Sequence, residues 1–345
     1  MKKILDTQDK FFAWEPAVVI LAMQSAILAT GYTLAYVFWC PGNIAAIWAM
    51  IGVFVNALIQ TVAIKSSLRN RFYGSVLIAV AAGVTTFFGA LFANNFWLMS
   101  ICILLLVPLV GLSSSAKPLS AALVLFTVDL FIVGSGVPGN LNIALLYGGA
   151  FIFGGLSLAL LGVIYAKLFK QDDIAEKNYK FVWKEVFTDY KANRSFALLL
   201  TFVVFIANMI SYQFHMAQGF WIPMTALLIL KSDYDFTRSR MSHRLIGTIL
   251  GSILAMVVTT IFLTKFAMAL LMFPLMFFIV VSMAKHYGAY TLVLTVMVTI
   301  MVNLIMQQGY LIAEHRLIDT LIGVIVVMFA LGCIQPLIDR LHNKV

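Results

Sequence analysis

Apolar runs long enough to cross a bilayer follow one another along almost the whole chain, separated by short polar breaks. A helix needs about 20 consecutive apolar residues to cross about 30 Å of hydrocarbon. By that measure spans are predicted at roughly 16 to 39, 43 to 64, 72 to 93, 96 to 112, 118 to 137 and 140 to 166. A charged stretch from Lys167 to Arg194 interrupts the pattern, and six more spans follow at roughly 195 to 214, 218 to 235, 244 to 264, 266 to 284, 287 to 308 and 315 to 337. The pattern therefore predicts an all-α, polytopic membrane protein of twelve transmembrane helices built as two six-helix repeats. Its parts are a first half at 1–166, a cytoplasmic amphipathic linker at 167–194 and a second half at 195–345.

Composition agrees with the pattern: 62% of the 345 residues are hydrophobic and only 11% charged. The first apolar stretch lacks a small-residue cleavage site and is followed by further spans, so it reads as a retained helix. The net charge of +9 would suit nucleic acid if the basic residues clustered. Instead they alternate. With Lys2, Lys3 and Lys10 placed in the cytoplasm, Lys65, Arg69, Arg71, Lys117, the basic residues of the linker, Lys231, Arg238, Arg240, Arg244, Lys285, Arg340 and Lys344 all fall on the same side. Only Lys265 and Arg316 fall outside. Lys and Arg near span ends set orientation, so both termini are expected in the cytoplasm, membrane lipid is an expected partner and nucleic acid is not.

Shifting the chain by 173 residues lays Arg71, Gly74 and Ser75 over Arg244, Gly247 and Thr248, and Lys65 over Arg238. Halves with an even number of spans share orientation, which places a site near their interface. The linker interleaves Phe169, Tyr179, Phe181, Trp183, Phe187 and Tyr190 with charges of both signs. That composition suits a helix lying along the inner membrane surface or docking a partner.

Cys40, Cys102 and Cys333 lie far apart without metal or disulfide spacing, and serve as small hydrophobes. No phosphate loop, nucleophile-and-base pair or metal-ligand cluster is legible. The chain is expected to be no enzyme and to need no metal or cofactor.

The most informative stretch runs from Phe220 to Ala255. Within it Lys231, Asp233, Asp235, Arg238, Arg240, His243 and Arg244 fall inside fourteen residues of a mostly apolar chain. Charges left in hydrocarbon cost at least about 2.5 to 3.5 kcal/mol each, so they persist at an interface, in a pair or in a wet cavity. Pro223 stands one turn into the eighth predicted span, where a kink would mark an interrupted helix of the kind that builds transporter sites. An ordinary proline kink with Phe220 and Trp221 as an aromatic anchor explains the same residues. On a helix, Arg240 and Arg244 share one face and Gly247, Gly251 and Ala255 form a small-residue stripe, with Thr237 or Asp235 as its cap. Guanidinium groups there suit a carboxylate; pairing with Asp233 or Asp235 is the structural alternative.

Elsewhere, Asp129 is the one acid well inside a predicted span, and a carboxyl group so placed can exchange protons or simply bond a neighbouring helix. Thr291, Thr295, Thr299, Asn303 and Gln307 repeat every four residues, a stripe that could line a wet pathway or hold helices together. Arg316 and Asp319 begin the last span and could form an outer gate or a topological anchor.

The pattern W-x-P-x-T followed by D-x-x-x-T-x-x-R-x-x-x-R-x-x-G-T-x-x-G is carried by Trp221, Pro223, Thr225, Asp233, Thr237, Arg240, Arg244, Gly247, Thr248 and Gly251. A second element, R-L-x-D-T-x-x-G, is carried by Arg316, Leu317, Asp319, Thr320 and Gly323. Together they resemble the fusaric-acid-resistance or aromatic-acid-exporter-like family of bacterial inner-membrane proteins. The resemblance covers the second half, and the first retains traces. It implies efflux of small organic anions, aromatic carboxylic acids above all, driven by the proton gradient and in some members coupled to a periplasmic adaptor. A homo-oligomer is a further expected partner. Read with the charge and helix geometry above, the candidate substrate contacts are Arg240, Arg244, Thr237, Trp221, Pro223, Thr225 and Lys231. From the residues themselves, Asp129 and Asp233 are the candidate proton carriers, exchanging one proton against substrate, Arg316 and Asp319 the candidate gate, and Thr295, Thr299 and Asn303 the candidate pathway lining. This chain departs from the family in having Lys231-Ser232-Asp233 where Gln-Pro-Asp is common, and in lacking the large cytoplasmic domains many members carry. A gradient-driven anion channel and a non-transporting membrane scaffold are the rival readings.

Overall fold

The computed structural model describes residues 11–39, 41–169, 183–187, 189–262, 264–306 and 311–334. Among them the regular structure is helical throughout. The first part comprises α1 (Pro16–Phe38), α2 (Ala45–Val62), α3 (Leu68–Phe92), α4 (Phe96–Leu112), α5 (Pro118–Gly134) and α6 (Leu141–Leu168). After the one-turn α7 (Trp183–Val186) come α8 (Tyr190–Gln213), α9 (Trp221–Ile229), α10 (Tyr234–Ile261), α11 (Lys265–Met283), α12 (Tyr287–Met306) and α13 (Leu311–Phe329). Ten of these helices are long and apolar enough to cross a membrane, so the chain is a multi-pass membrane protein. Most of the linker, residues 170–182, lies outside the described residues, as do Gln307 and the C-terminal tail.

Local chemistry fixes many of the ends. Pro16 and Pro118 stand at the first helical position of α1 and α5, where the missing N–H has no intrahelical acceptor to lose. Asn95 caps α4 by accepting from the Leu98 N–H at 3.1 Å, and Thr264 caps α11 by accepting from Ala267 at 3.2 Å; each satisfies a donor that the helix leaves free.

Two compact units divide the chain, and neither coincides with one half of the sequence. The first takes 1–84, 145–181 and 246–314, the second 85–144, 182–245 and 315–345. In the first unit, Asn56 of α2 donates to the Ser75 and Gly155 carbonyls, both at 3.0 Å, tying α2, α3 and α6 together through one buried amide. Glycines let the backbones meet: a Cβ on Gly154 would strike the Ala49 carbonyl, and one on Gly52 the Phe151 carbonyl. Gly247 and Gly251 of α10 play the same part against α12, where a Cβ would lie 2.9 Å from Thr291 Cβ and 2.8 Å from Thr295 Cβ respectively. Small residues substitute here for the hydrophobic driving force that lipid removes.

In the second unit, α4 packs on α8 at Gly111, whose Cβ would strike Ala197. Asn193 at the start of α8 donates to the Leu112 carbonyl at 3.1 Å and exchanges a hydrogen bond with Ser115. The last turns of α3 pack on α5, with the Thr85 hydroxyl donating to the Thr127 carbonyl at 2.7 Å. Against this frame lies α9, with all nine of its residues buried.

The eighth span departs from expectation. An unbroken apolar run predicts a helix over 218 to 235, yet α9 ends at Ile229, and nine residues rise only about 13 Å. Leu230 is extended, with ψ 126°, and α10 begins at Tyr234, about ten residues before the start expected for the ninth span. Lys231-Ser232-Asp233 is the reason: Ser and Asp hydrogen-bond nearby backbone and favour caps over helix interiors. The break also falls after Pro223 rather than at it. Pro223 sits in the first turn of α9, where its absent N–H costs no helical bond.

Candidate functional site

While Gly247, Thr248 and Gly251 of the motif belong to the first unit, the candidate site residues, except for Thr295, Thr299 and Asn303, all fall in the second. They gather at the two ends of α9. A broken helix of this kind is tolerated in a membrane only where protein or a cavity surrounds it, and interrupted helices are where transporters place their sites.

At the Leu230 end the chain turns through a bracket built on Thr237. Its buried hydroxyl accepts from the Lys231 N–H at 3.0 Å and lies 3.1 Å from the Lys231 carbonyl and 2.8 Å from the Asp233 carbonyl, as donor to both. Asp233 is exposed and accepts from the Phe236 N–H at 2.7 Å, so it, and not Asp235 or Thr237, caps α10. This fixed turn sets where the cations emerge. Lys231 is half-buried at the break. Arg240, nearly two turns into α10 and half-buried, has its guanidinium 4.8 Å from the Phe236 ring centroid and Nη1 3.4 Å from the Leu228 carbonyl.

Arg244, one turn further, is 1% exposed, and among the described residues its Nε and Nη1 have no hydrogen-bond partner. Asp129 of α5, 5% exposed, has an Oδ1 without a hydrogen-bond partner among the described residues. The charges of Arg244 and Lys231 both act on its carboxyl group. Polar groups buried without partners are rare in folded proteins, and a charged one is costlier still. A guanidinium held in this state is a ready fork for a carboxylate, with two parallel N–H donors and charge assistance.

At the Trp221 end, the Trp221 indole N–H donates to the Gln218 side-chain oxygen at 3.2 Å. The Arg316 guanidinium, 2% exposed, stacks over its ring at 3.8 Å. Asp319, 1% exposed, lies one turn along α13 and feels the Arg316 charge. Gly323 brings α13 onto α9, since a Cβ there would lie 2.9 Å from Thr225 Cβ and 3.1 Å from the Ile222 carbonyl. Pro223 and Thr225 are thus packed inside α9's surroundings, Thr225 with its hydroxyl unpartnered.

Thr295, Thr299 and Asn303 belong to the other unit. Thr291 and Thr295 donate to carbonyls of their own helix four residues back, both at 2.8 Å, and pack on Gly247 and Gly251. Thr299 is buried with an unpartnered hydroxyl, and Asn303 approaches the Met268 sulfur at 3.8 Å. Sequence reasoning flagged Trp221 and Arg316 separately but missed their contact, because nothing in the spacing of residues on different helices signals it. Among the described residues no group of three His, Cys, Asp or Glu side chains could hold a metal.

Residues 200–330 match the family model described as Fusaric acid resistance protein-like. That stretch contains every residue of both sequence elements, from Trp221 to Gly323. No curated protein and no solved structure gives a significant match.

Proposed function

We propose that this fusaric acid resistance protein-like membrane protein carries small organic anions, aromatic carboxylic acids foremost, out across the bacterial inner membrane. Members of that family are transporters rather than enzymes. The observation that carries the reading is the Arg244 guanidinium, buried with two nitrogens unpartnered in a unit that also buries an acid on which its charge acts.

In this reading Arg244 forks the cargo carboxylate, while Lys231 and Arg240 lie along the approach and raise the local potential for anions. Asp129 sets the sign of proton coupling. When ionised, it competes with cargo for Arg244; when protonated, it leaves the guanidinium to the cargo. Proton and anion are then bound together, the reverse of the one-for-one exchange expected from the sequence. Outward movement follows the acid's own gradient. Arg316 and Asp319 close the other end of α9 over Trp221.

Outward flux of 4-hydroxybenzoate from proteoliposomes tests this for the wild type, Arg244→Gln and Arg244→Lys. Acidifying the cargo side is expected to speed wild-type flux. The Gln variant loses at least tenfold and the Lys variant, which keeps charge but not the fork, falls between. Wild-type flux in Arg244→Gln contradicts the site. Flux that follows membrane potential without proton movement identifies an anion channel instead.

A further inference from the structure

A cavity of about 250 Å³ lies in the second unit at the Trp221 end of α9, remote along that helix from Lys231 and Arg244. The start of α4, the end of α5, the end of α8 and the loop leading into α9 enclose it. Three rings form its apolar walls: Phe96, Tyr212 and Phe220. Phe96 and Tyr212 face each other with centroids 4.8 Å apart and planes tilted by 37°. Ser135, Asn208, Ser211 and His215 add polar side chains to the lining.

The walls are set by backbone packing. A Cβ on Gly136 would strike the Phe220 ring, and one on Gly219 the Ser211 hydroxyl, so both glycines hold the wall residues where they are. The loop closes on α8 through a hydrogen bond from Met216 N–H to the Ser211 carbonyl at 3.2 Å, and on itself through one from Gly219 N–H to the Met216 carbonyl at 3.1 Å. Within that loop His215 adopts a left-handed conformation, φ 48°, uncommon outside glycine and kept where the surroundings over-determine it.

Among the described residues no lysine, arginine, aspartate or glutamate lines the cavity. An apolar cavity of about 150 Å³ is enough for benzene, so this one has room for a single ring with a polar substituent. Flat aromatic walls favour offset or edge-to-face contact with a ring. The Asn208 amide and the serine hydroxyls among the lining offer hydrogen-bonding groups without net charge, the usual make-up of a small-molecule pocket.

We infer that this cavity is a second ligand site, selective for uncharged single-ring aromatics carrying an amide or hydroxyl group. It stands apart from the Arg244 site in both position and charge preference.

The test is equilibrium binding of radiolabelled benzamide, neutral at pH 7, to the full-length protein in lipid nanodiscs. Ala217→Trp, from an exposed lining residue, fills the cavity; Asn208→Leu keeps its volume but removes the amide. The wild type is expected to bind saturably, with each variant at least tenfold weaker, and benzoate at pH 7 to displace benzamide poorly. No saturable binding by the wild type, or binding that both variants leave within twofold, overturns the inference. Neither outcome touches the anion reading, which rests on the Arg244 variants.

Discussion

The Arg316 guanidinium carbon lies 3.8 Å from the centroid of the Trp221 ring, with both side chains buried. This one contact joins α13 to the first residue of α9. A cation over an indole face is worth about 2 kcal/mol or more once desolvated, and here the ring also fills space. Trp221→Leu is therefore expected to lower the unfolding temperature clearly, and Trp221→Phe, which keeps a ring, by less. The exposure of half-buried Cys102 to a thiol-reactive dye on heating reads both. Equal losses for Leu and Phe would contradict a contribution from the ring face.

Two glycines of α6 make a paired test of helix packing. An added Cβ at Gly149 meets nothing within 4 Å, whereas at Gly154 it strikes the Ala49 carbonyl of α2. Ala for Gly in a helix interior gains roughly 0.5 to 1 kcal/mol when space allows. Gly149→Ala is expected to leave the unfolding temperature unchanged or raised, and Gly154→Ala to lower it sharply or prevent assembly. The same heating assay, with detergent-extracted yield, checks it.

The bracket at the end of α9 predicts an asymmetry between two substitutions at one position. Thr237→Val leaves the part-buried Lys231 N–H without its acceptor at 3.0 Å; an unsatisfied donor costs about 1 to 3 kcal/mol when fully buried, and less here. Thr237→Ser keeps the hydroxyl and is expected to lose much less. Since the turn positions Lys231 and the start of α10, Thr237→Val also weakens carboxylate binding at least severalfold, measured by equilibrium binding.

Much of the fold was legible because its signal is local. Apolar runs bounded by Asn95, Pro118 or Thr264 end where caps and prolines end them, and most helix boundaries follow. The eighth span was misjudged because hydropathy sees Phe220 to Leu230 as one run and cannot see that Asp233 and Thr237 recruit backbone groups before a span is complete. The motif residues were legible as a set, and residues 200–330 carry the family match. Their division between two ends of a nine-residue helix was not, nor was the α9 to α13 contact at Thr225 and Gly323. Both depend on which helices meet, and sequence spacing is silent there. The threonine stripe is a case of one pattern with two meanings: period four marks Thr291 and Thr295 equally as pathway or as helix contact, and only the facing Gly247 and Gly251 place them in a tight contact.

Asp129 gives a prediction about pH. Ionised, it competes with cargo for Arg244, so carboxylate affinity in the wild type is expected to fall as pH rises through the titration of this acid. Asp129→Asn cannot ionise and stands in for the protonated form. Its affinity is expected to match or exceed the wild type at low pH and to stay flat as pH rises. A wild-type slope retained in the variant would place the titrating group elsewhere.

The central claim, that the buried Arg244 guanidinium holds the cargo carboxylate, is tested most directly by calorimetric or radioligand binding of 4-hydroxybenzoate to purified wild type and Arg244→Gln at one pH. Hydrogen bonds to charged groups contribute about 1.5 to 3 kcal/mol, so the variant is expected to bind roughly 10- to 150-fold more weakly while unfolding at a temperature close to that of the wild type. Equal affinity in the two proteins would contradict the account.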